Sequence, residues 1–157
     1  MDISDLTSNE PINFIENIFH YLSTFSAHQL KVEGATYPTL EHAYHALRIK
    51  PGVERDEIVR ATSPLAAWRL AQNYKNHSSL KLADLNKAEL MEKLMRLKLE
   101  QHTDIKEVLL VSGNRGLLKV FGTDFYWGTG NDGSGENVMG KLWMKLRSEI
   151  MDSKDGK

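Results

Sequence analysis

Two short segments of the chain carry residue types that suit catalysis or ligand binding. Glu41 and His42 precede His45 within one predicted helix, and a glycine-rich segment at residues 128–133 follows a run of aromatic residues. A carboxylate can stabilise a developing positive charge or activate water. Backbone N–H groups of a glycine-rich loop before a helix can hold a phosphate. These segments are therefore the first candidates for a functional site.

The glycine-rich segment spells Gly-x-Gly-x-x-Gly, but the sequence around it lacks the rest of a dinucleotide-binding unit. Residues 122–127 do not read as a buried strand, and only 24 residues follow Gly133, too few for a βαβ unit. Two interpretations stay open. The segment is either an anion-binding loop or an ordinary polar loop whose glycines adopt positive φ.

The histidines do not predict a metal site. His42 and His45 are spaced i, i+3, whereas the helical zinc-protease motif has its histidines at i, i+4 with a glutamate between them. The acidic residues at 132–136 lack the ordered positions of a calcium loop. With no cysteine in the chain, thiol catalysis and thiolate metal sites are excluded.

The composition is that of an ordinary globular protein. The chain has 157 residues, of which 41% are apolar and 26% charged. The formal net charge of −1 argues against binding nucleic acid by bulk electrostatics. No apolar run suits a membrane span or a secretory signal. We therefore expect a cytoplasmic protein with no membrane partner, a domain at residues 11–150, and flexible ends at residues 1–10 and 151–157.

Helix signals dominate the chain. Thr39, Ser63 and Asn86 each precede apolar residues at helical spacing and are predicted N-caps. The predicted helices cover residues 40–49, 55–61, 64 onward, 87 onward, 104–110 and 136–150. Strands are expected only at residues 12–15 and 29–33. The predicted fold class is mainly α with a small N-terminal β element, an α+β arrangement in a compact single domain.

Several segments, in matching order over residues 12–150, resemble the NADAR family, also called YbiA-like. They are Tyr21-Leu-Ser-Thr-Phe25, the block from Val32 to Tyr44 that contains Glu41-His42, the block from Met95 to His102, and the block from Asp124 through Trp127-Gly128 to Asn137. The resemblance implies hydrolysis of the bond between a ribose carbon and a nitrogen, without a metal or organic cofactor. The implied substrates are ADP-ribosylated guanine in nucleic acid or phosphoribosylamino-pyrimidine intermediates of riboflavin synthesis.

The resemblance also implies roles for individual residues. Glu41 would be the main catalytic carboxylate and Asp124 the second polar participant. Trp127 would offer a flat face to a base. The remaining substrate-binding residues would be Asn13, Phe14, Ser23, Arg48, Lys98, Gly128, Gly130, Asp132, Gly133 and Asn137.

A purely structural interpretation is also open for four of these residues, Glu41, Asp124, Trp127 and Lys98. The Glu41 carboxylate would interact favourably with the helix dipole, and Asp124 would be a loop or cap aspartate. Trp127 would pack in the core, and Lys98 would be a solvated lysine on its helix.

The sequence departs from the family pattern at several of these positions. Thr24 stands where the family usually has asparagine, His45 replaces a glutamine, and Arg48 replaces a lysine. Arginine keeps the positive charge but cannot form a Schiff base. Two alternatives to an active enzyme therefore stay open. One is a catalytically weak or inactive module that binds ADP-ribose or a nucleotide, and the other is an antitoxin-like regulator whose counterpart is a toxin-type ADP-ribosyltransferase.

Overall fold

The computed structural model of the protein describes residues 8–155. Contacts divide the chain into two compact units, of which one contains both ends, Met1–Ser23 and Thr103–Lys157, and the other comprises Thr24–His102. Helices predominate and the strands are two or three residues long, so the predicted mainly α fold class with a small β element is confirmed. Part of each predicted flexible end, residues 1–7 and 156–157, lies outside the described residues.

The unit formed by Thr24–His102 is built around helix α1, Leu40–Ala46, all seven residues of which are buried. Strands β2 (Leu30–Val32) and β3 (Ala35–Tyr37) form an antiparallel hairpin. Three further helices follow, which are α2 (Val53–Val59), α3 (Pro64–Tyr74) and α4 (Lys87–Gln101). All three helices and both strands pack against α1, which explains why its polar residues are removed from solvent.

The predicted caps of α1, α3 and α4 are confirmed. The Thr39 hydroxyl accepts a hydrogen bond from the N–H of His42, and the Ser63 hydroxyl accepts one from Ala66 at 3.0 Å. The Asn86 side chain accepts from two N–H groups of the first turn of α4. A cap of this kind typically contributes about 1 kcal/mol to stability. These bonds fix where three of the helices begin.

Helix boundaries differ from the prediction where a residue distant in sequence intervenes. Helix α1 ends at Ala46, before the predicted Ile49, because Ile49 instead pairs with Lys81 in an isolated antiparallel bridge. Helix α2 spans Val53–Val59 rather than residues 55–61. A short 3-10 helix at Ser78–Leu80 precedes Lys81, and the Lys50 N–H donates to the Leu80 carbonyl at 2.8 Å.

The other unit pairs strand β1 (Ile12–Asn13) with β4 (Leu117–Leu118) in parallel, with Ile12 opposite Leu117. Helix α5 (Thr103–Val111) packs against a 3-10 helix at Asn17–Leu22, and α6 (Val138–Asp155) packs against β4 and α5. Helix α5 extends one residue beyond the predicted 104–110 at each end. Helix α6 begins two residues later than predicted and continues beyond Ile150 to Asp155. Within the described residues, no helix combines the length and the apolar character that crossing a bilayer requires.

Helix α6 passes close to β4 at Gly140, and this approach generates a stability prediction. A Cβ at Gly140 would overlap the Leu117 carbonyl oxygen and the Asn137 amide. Because overpacking of this kind costs about 1–3 kcal/mol, Gly140→Ala is expected to lower the melting temperature by roughly 2–4 °C per kcal/mol. Gly122→Ala is the control, since nothing lies within 4 Å of a Cβ there. Thermal unfolding followed by circular dichroism checks this, and equal melting temperatures for the two variants would contradict it.

Candidate active site

Glu41 is a buried carboxylate with a hydrogen-bond donor at each oxygen. Its exposed fraction is 7%. The Thr24 hydroxyl donates to Oε2 at 2.5 Å, and His45 Nε2 lies 2.6 Å from Oε1. The Thr24 carbonyl also accepts the Glu41 backbone N–H at 3.1 Å. A carboxylate so far removed from water is stable only when such bonds replace its hydration.

Lys98 is connected to Glu41 through the short segment that follows Ser23. Thr24 bonds Glu41, and two residues later the Ser26 hydroxyl accepts a hydrogen bond from Lys98 Nζ at 2.5 Å. Lys98 is only 1% exposed, so its interpretation as a solvated surface lysine is wrong. The loop that carries Thr24 and Ser26 therefore contacts two predicted site residues, Glu41 of α1 and Lys98 of α4.

The burial of Lys98 follows the periodicity of α4. The buried residues of this helix are Met91, Leu94, Met95 and Lys98, at spacings of three, four and seven. Leu90, Leu94 and Leu97 form an alternative apolar stripe at helical spacing, but Leu90 and Leu97 are only half-buried. Reading the stripe through Met91 would have identified Lys98 as a core position.

His42 and Arg48 each make contacts within the protein that give their side chains a structural role. His42 Nε2 faces the Ala61 carbonyl at 2.9 Å, so this nitrogen carries the proton, and Nδ1 accepts from the Thr39 hydroxyl at 2.8 Å. The Arg48 guanidinium lies over the Tyr44 ring, 5.0 Å from its centroid, in cation–π geometry. Among the described residues, no three His, Asp or Glu side chains form a metal site.

A groove of about 560 Å³ lies in the same unit, lined in part by Pro38, Thr39, His42 and Ser63. None of the predicted site residues lines it. Its polar wall residues His42, Thr39 and Ser63 already bond within the fold, so we do not assign it a catalytic role.

The glycine-rich segment belongs to the other unit, where Lys119 and Val120 hold three predicted site residues together. Lys119 Nζ donates to Asp124 Oδ2 at 2.7 Å, and the Lys119 N–H donates to the Asn137 side-chain oxygen at 3.0 Å. The Val120 N–H donates to Asn13 Oδ1 at 3.1 Å. The remaining oxygen of Asp124 accepts the Trp127 N–H at 2.9 Å. Asp124 thus shapes its own loop, and its participation in catalysis stays a prediction.

The backbone of the glycine-rich segment bonds mainly to itself. The N–H groups of Thr129, Gly130 and Asn131 donate to carbonyls of residues 119–124, and those of residues 135–139 donate to carbonyls of residues 125–129. The expectation that these groups form an anion cradle is therefore wrong for these eight positions, because each already has a protein acceptor. Val138 and Met139, at the start of α6, are among them.

Close packing explains the glycines themselves. A Cβ at Gly128 would overlap the Lys119 carbonyl, and one at Gly130 would overlap the Phe125 ring. Gly133 has φ of +80° and open space around it. Gly128 and Gly130 are thus required by the fold, while their contact with a substrate stays a prediction.

The aromatic and N-terminal candidates divide between core and surface. Phe14 has no exposed surface, so its side chain packs in the core, and its contact with a substrate stays a prediction. Ser23 is buried and its N–H donates to the His20 carbonyl at 2.8 Å. Trp127 is half-buried with its ring edge-on to Tyr126, 4.8 Å between centroids. Its role as a platform for a base stays a prediction.

Sequence reasoning missed Ser26 and the engagement of Asp124 by Lys119. Ser26 lies two residues beyond Thr24, within a segment rich in hydroxyls, but only the structure shows which side chains those hydroxyls contact. Lys119 and Asp124 carry opposite charges and lie five residues apart in the sequence. This spacing is a signal for an ion pair within a loop.

Asp132 lies at the exposed tip of the glycine-rich segment and is held ionised by Ser134. The Ser134 hydroxyl and N–H donate to Asp132 Oδ1 at 2.7 and 2.9 Å. The bond from the hydroxyl, and to a smaller extent the bond from the N–H, lowers the pKa of Asp132 below its ordinary value. An ionised carboxylate repels a phosphate and accepts bonds from sugar hydroxyls, so this tip suits a ribose better than an anion.

Ser134→Ala is expected to raise the pKa of Asp132 towards its ordinary value, because the strongest donor to the ionised form is removed. The bond is present above the ordinary carboxyl pKa and is lost as the pH falls through the lowered one. A pH titration of the Asp132 side-chain carbon by NMR measures this. Ser148→Ala, at an exposed position of α6, is the control. An Asp132 titration unaffected by Ser134→Ala would contradict the assignment.

Comparison with known proteins identifies relatives over most of the chain. The NADAR domain model matches residues 9–151. The N-glycosidase YbiA of Shigella flexneri is 36% identical over 141 residues, 88% of each chain. A riboflavin biosynthesis protein of Vibrio vulnificus is 28% identical over 153 residues, 96% of this chain but only 41% of that protein.

A solved structure agrees with this assignment. The NMR structure of the Escherichia coli protein YbiA matches with a TM-score of 0.79 and 32% identity, covering 94% of this chain and 88% of that one. The family model, the relatives and the solved structure therefore agree over nearly the whole length of this chain, and the chain belongs to the NADAR family.

Proposed function

We propose that the protein is an N-glycosidase in which Glu41 acts at the reacting sugar. The observation that carries the proposal is the buried carboxylate of Glu41, held by donors at 2.5 and 2.6 Å. A structural glutamate at a helix start needs only solvent and the helix dipole. One that is buried and oriented in this way is costly to maintain, which is typical of a functional group.

Hydrolysis of an N-glycosidic bond suits such a group. The bond between the ribose carbon and the nitrogen breaks, its electron pair leaves with the nitrogen, and positive charge develops on the sugar ring. Water then adds to the carbon and loses a proton, and the nitrogen gains one. Glu41 can stabilise the developing charge or accept the proton from water, and its removal from solvent strengthens either interaction.

The relatives and the resemblance support two substrate classes for this proposal. The Shigella flexneri relative is named an N-glycosidase and the Vibrio vulnificus relative a riboflavin biosynthesis protein, which supports a phosphoribosylamino-pyrimidine as substrate. The resemblance also supports ADP-ribosylated guanine in nucleic acid, with a toxin-type ADP-ribosyltransferase as counterpart. Both carry a ribose joined to a nitrogen, which is the bond at which Glu41 is proposed to act.

A second candidate is a weakly active or inactive module that binds ADP-ribose or a nucleotide. The observation that favours it is the engagement of both Asp124 oxygens by Lys119 and Trp127. Glycosidases commonly use a pair of carboxylates, and both oxygens of this second carboxylate already accept bonds within its own loop. Binding of ADP-ribose by calorimetry, with no base released from either substrate, would favour this candidate over the enzyme.

Glu41→Gln tests the proposal directly. Supplied with ADP-ribosylated guanine in DNA and with a ribosylamino-pyrimidine phosphate, the wild type is expected to release base from at least one. The variant is expected to lose roughly 100-fold or more in kcat, the usual contribution of an acid–base group. Chromatography of the released base measures this. Melting temperatures check that both proteins are folded.

Glu89→Gln is the matched control, because Glu89 is an exposed glutamate in the first turn of α4. Its turnover is expected to equal that of the wild type. Absence of base release from both substrates, or equal turnover by Glu41→Gln, would overturn the proposal.

A further inference from the structure

We propose that His45 and Thr24 are the positioning residues of Glu41, and that in this protein they couple its carboxylate to an imidazole. The inference rests on the proposed function of Glu41 and goes beyond it by assigning roles to two residues at which the sequence departs from the family pattern. Both departures meet on one functional group, because each contacts a different oxygen of the same carboxylate.

The geometry fixes the plane of the carboxylate. His45 lies one helical turn after Glu41, and its Nε2 reaches Oε1 at 2.6 Å. Thr24 reaches Oε2 from the loop that precedes β2. Their exposed fractions are 6% and 4%. Donors on two different elements, one at each oxygen, restrict rotation about the last side-chain bond of Glu41.

Thr24 is held in place by helix α1, which carries Glu41. Its carbonyl accepts the Glu41 N–H at 3.1 Å while its hydroxyl donates to the side chain of the same residue. The hydroxyl is therefore placed by the backbone of the first turn of α1. Serine keeps this hydroxyl, whereas valine has the same shape as threonine without it.

His45 brings a group that can be charged or neutral near neutral pH, which a glutamine cannot provide. The Tyr44 ring meets the His45 ring edge-on, 5.1 Å between centroids, and the Arg48 guanidinium lies over the Tyr44 ring. Lys98 on α4 is the buried cation of the same unit, bonded to Ser26. The ionisable group directly bonded to His45 is thus Glu41.

This arrangement has a consequence for catalysis. A neutral imidazole with its proton on Nε2 donates a hydrogen bond to Oε1, and an imidazolium donates the same bond and adds a positive charge. In both forms the Nε2–H donates to Oε1, so this bond keeps the carboxylate in one orientation.

Four variants test the roles. His45→Leu and Thr24→Val, which remove the donors, are expected to lower kcat roughly 10- to 100-fold with KM nearly unchanged, because a misplaced catalytic group affects the chemical step more than binding. Thr24→Ser is expected to restore most of kcat. His45→Gln is expected to restore most of kcat, because the glutamine amide keeps a hydrogen-bond donor for Oε1.

A readout that does not depend on turnover separates this inference from the proposed function. In the wild type, NMR is expected to show the His45 Nε2 proton as a downfield signal protected from exchange with water. In Glu41→Gln, that signal is expected to shift upfield or disappear. If the wild type releases no base but the signal behaves in this way, the proposed function has failed while the pairing stands.

The inference is overturned by either of two results. They are an Nε2 signal that does not respond to Glu41→Gln and a folded His45→Leu variant with the kcat of the wild type. Melting temperatures of all variants show which proteins are folded. The conservative variants Thr24→Ser and His45→Gln keep the test decisive if the larger changes prevent folding.

Discussion

The burial of the Glu41 carboxylate is the constraint on which the unit around α1 depends. Moving a carboxylate out of water costs several kcal/mol unless hydrogen bonds replace its hydration. Because all seven residues of α1 are buried, the helix can take its central position only if the loop carrying Thr24 and the second turn carrying His45 are in place. Packing of the core and orientation of the carboxylate are thus parts of one arrangement.

The parts of the fold that depend on neighbouring residues could be predicted from the sequence. Thr39, Ser63 and Asn86 cap their helices through bonds that span two or three residues, so type and spacing were sufficient. Features set by distant partners were not predictable. Leu117 joins β1 through a strand of two residues, which is too short to show any periodicity.

For the candidate site, the sequence predicted residue types better than their surroundings. Lys98 was selected by resemblance, but whether it is solvated or buried depended on which apolar stripe of α4 faces the core. The glycine-rich segment shows the same limit. Glycines that cradle a ligand and glycines that make room for neighbouring protein atoms look the same in sequence. Here Gly128 is explained by the close approach of the Lys119 backbone and Gly130 by that of the Phe125 ring.

The two carboxylates predicted for catalysis illustrate how environment separates one residue type into different roles. Asp124 is bonded to the cation of Lys119 and to a backbone N–H, both within its own loop. The Glu41 oxygens accept hydrogen bonds from a hydroxyl on a loop and from an imidazole on helix α1. These side-chain contacts of Asp124 therefore stay within one loop, whereas those of Glu41 join a loop to a buried helix.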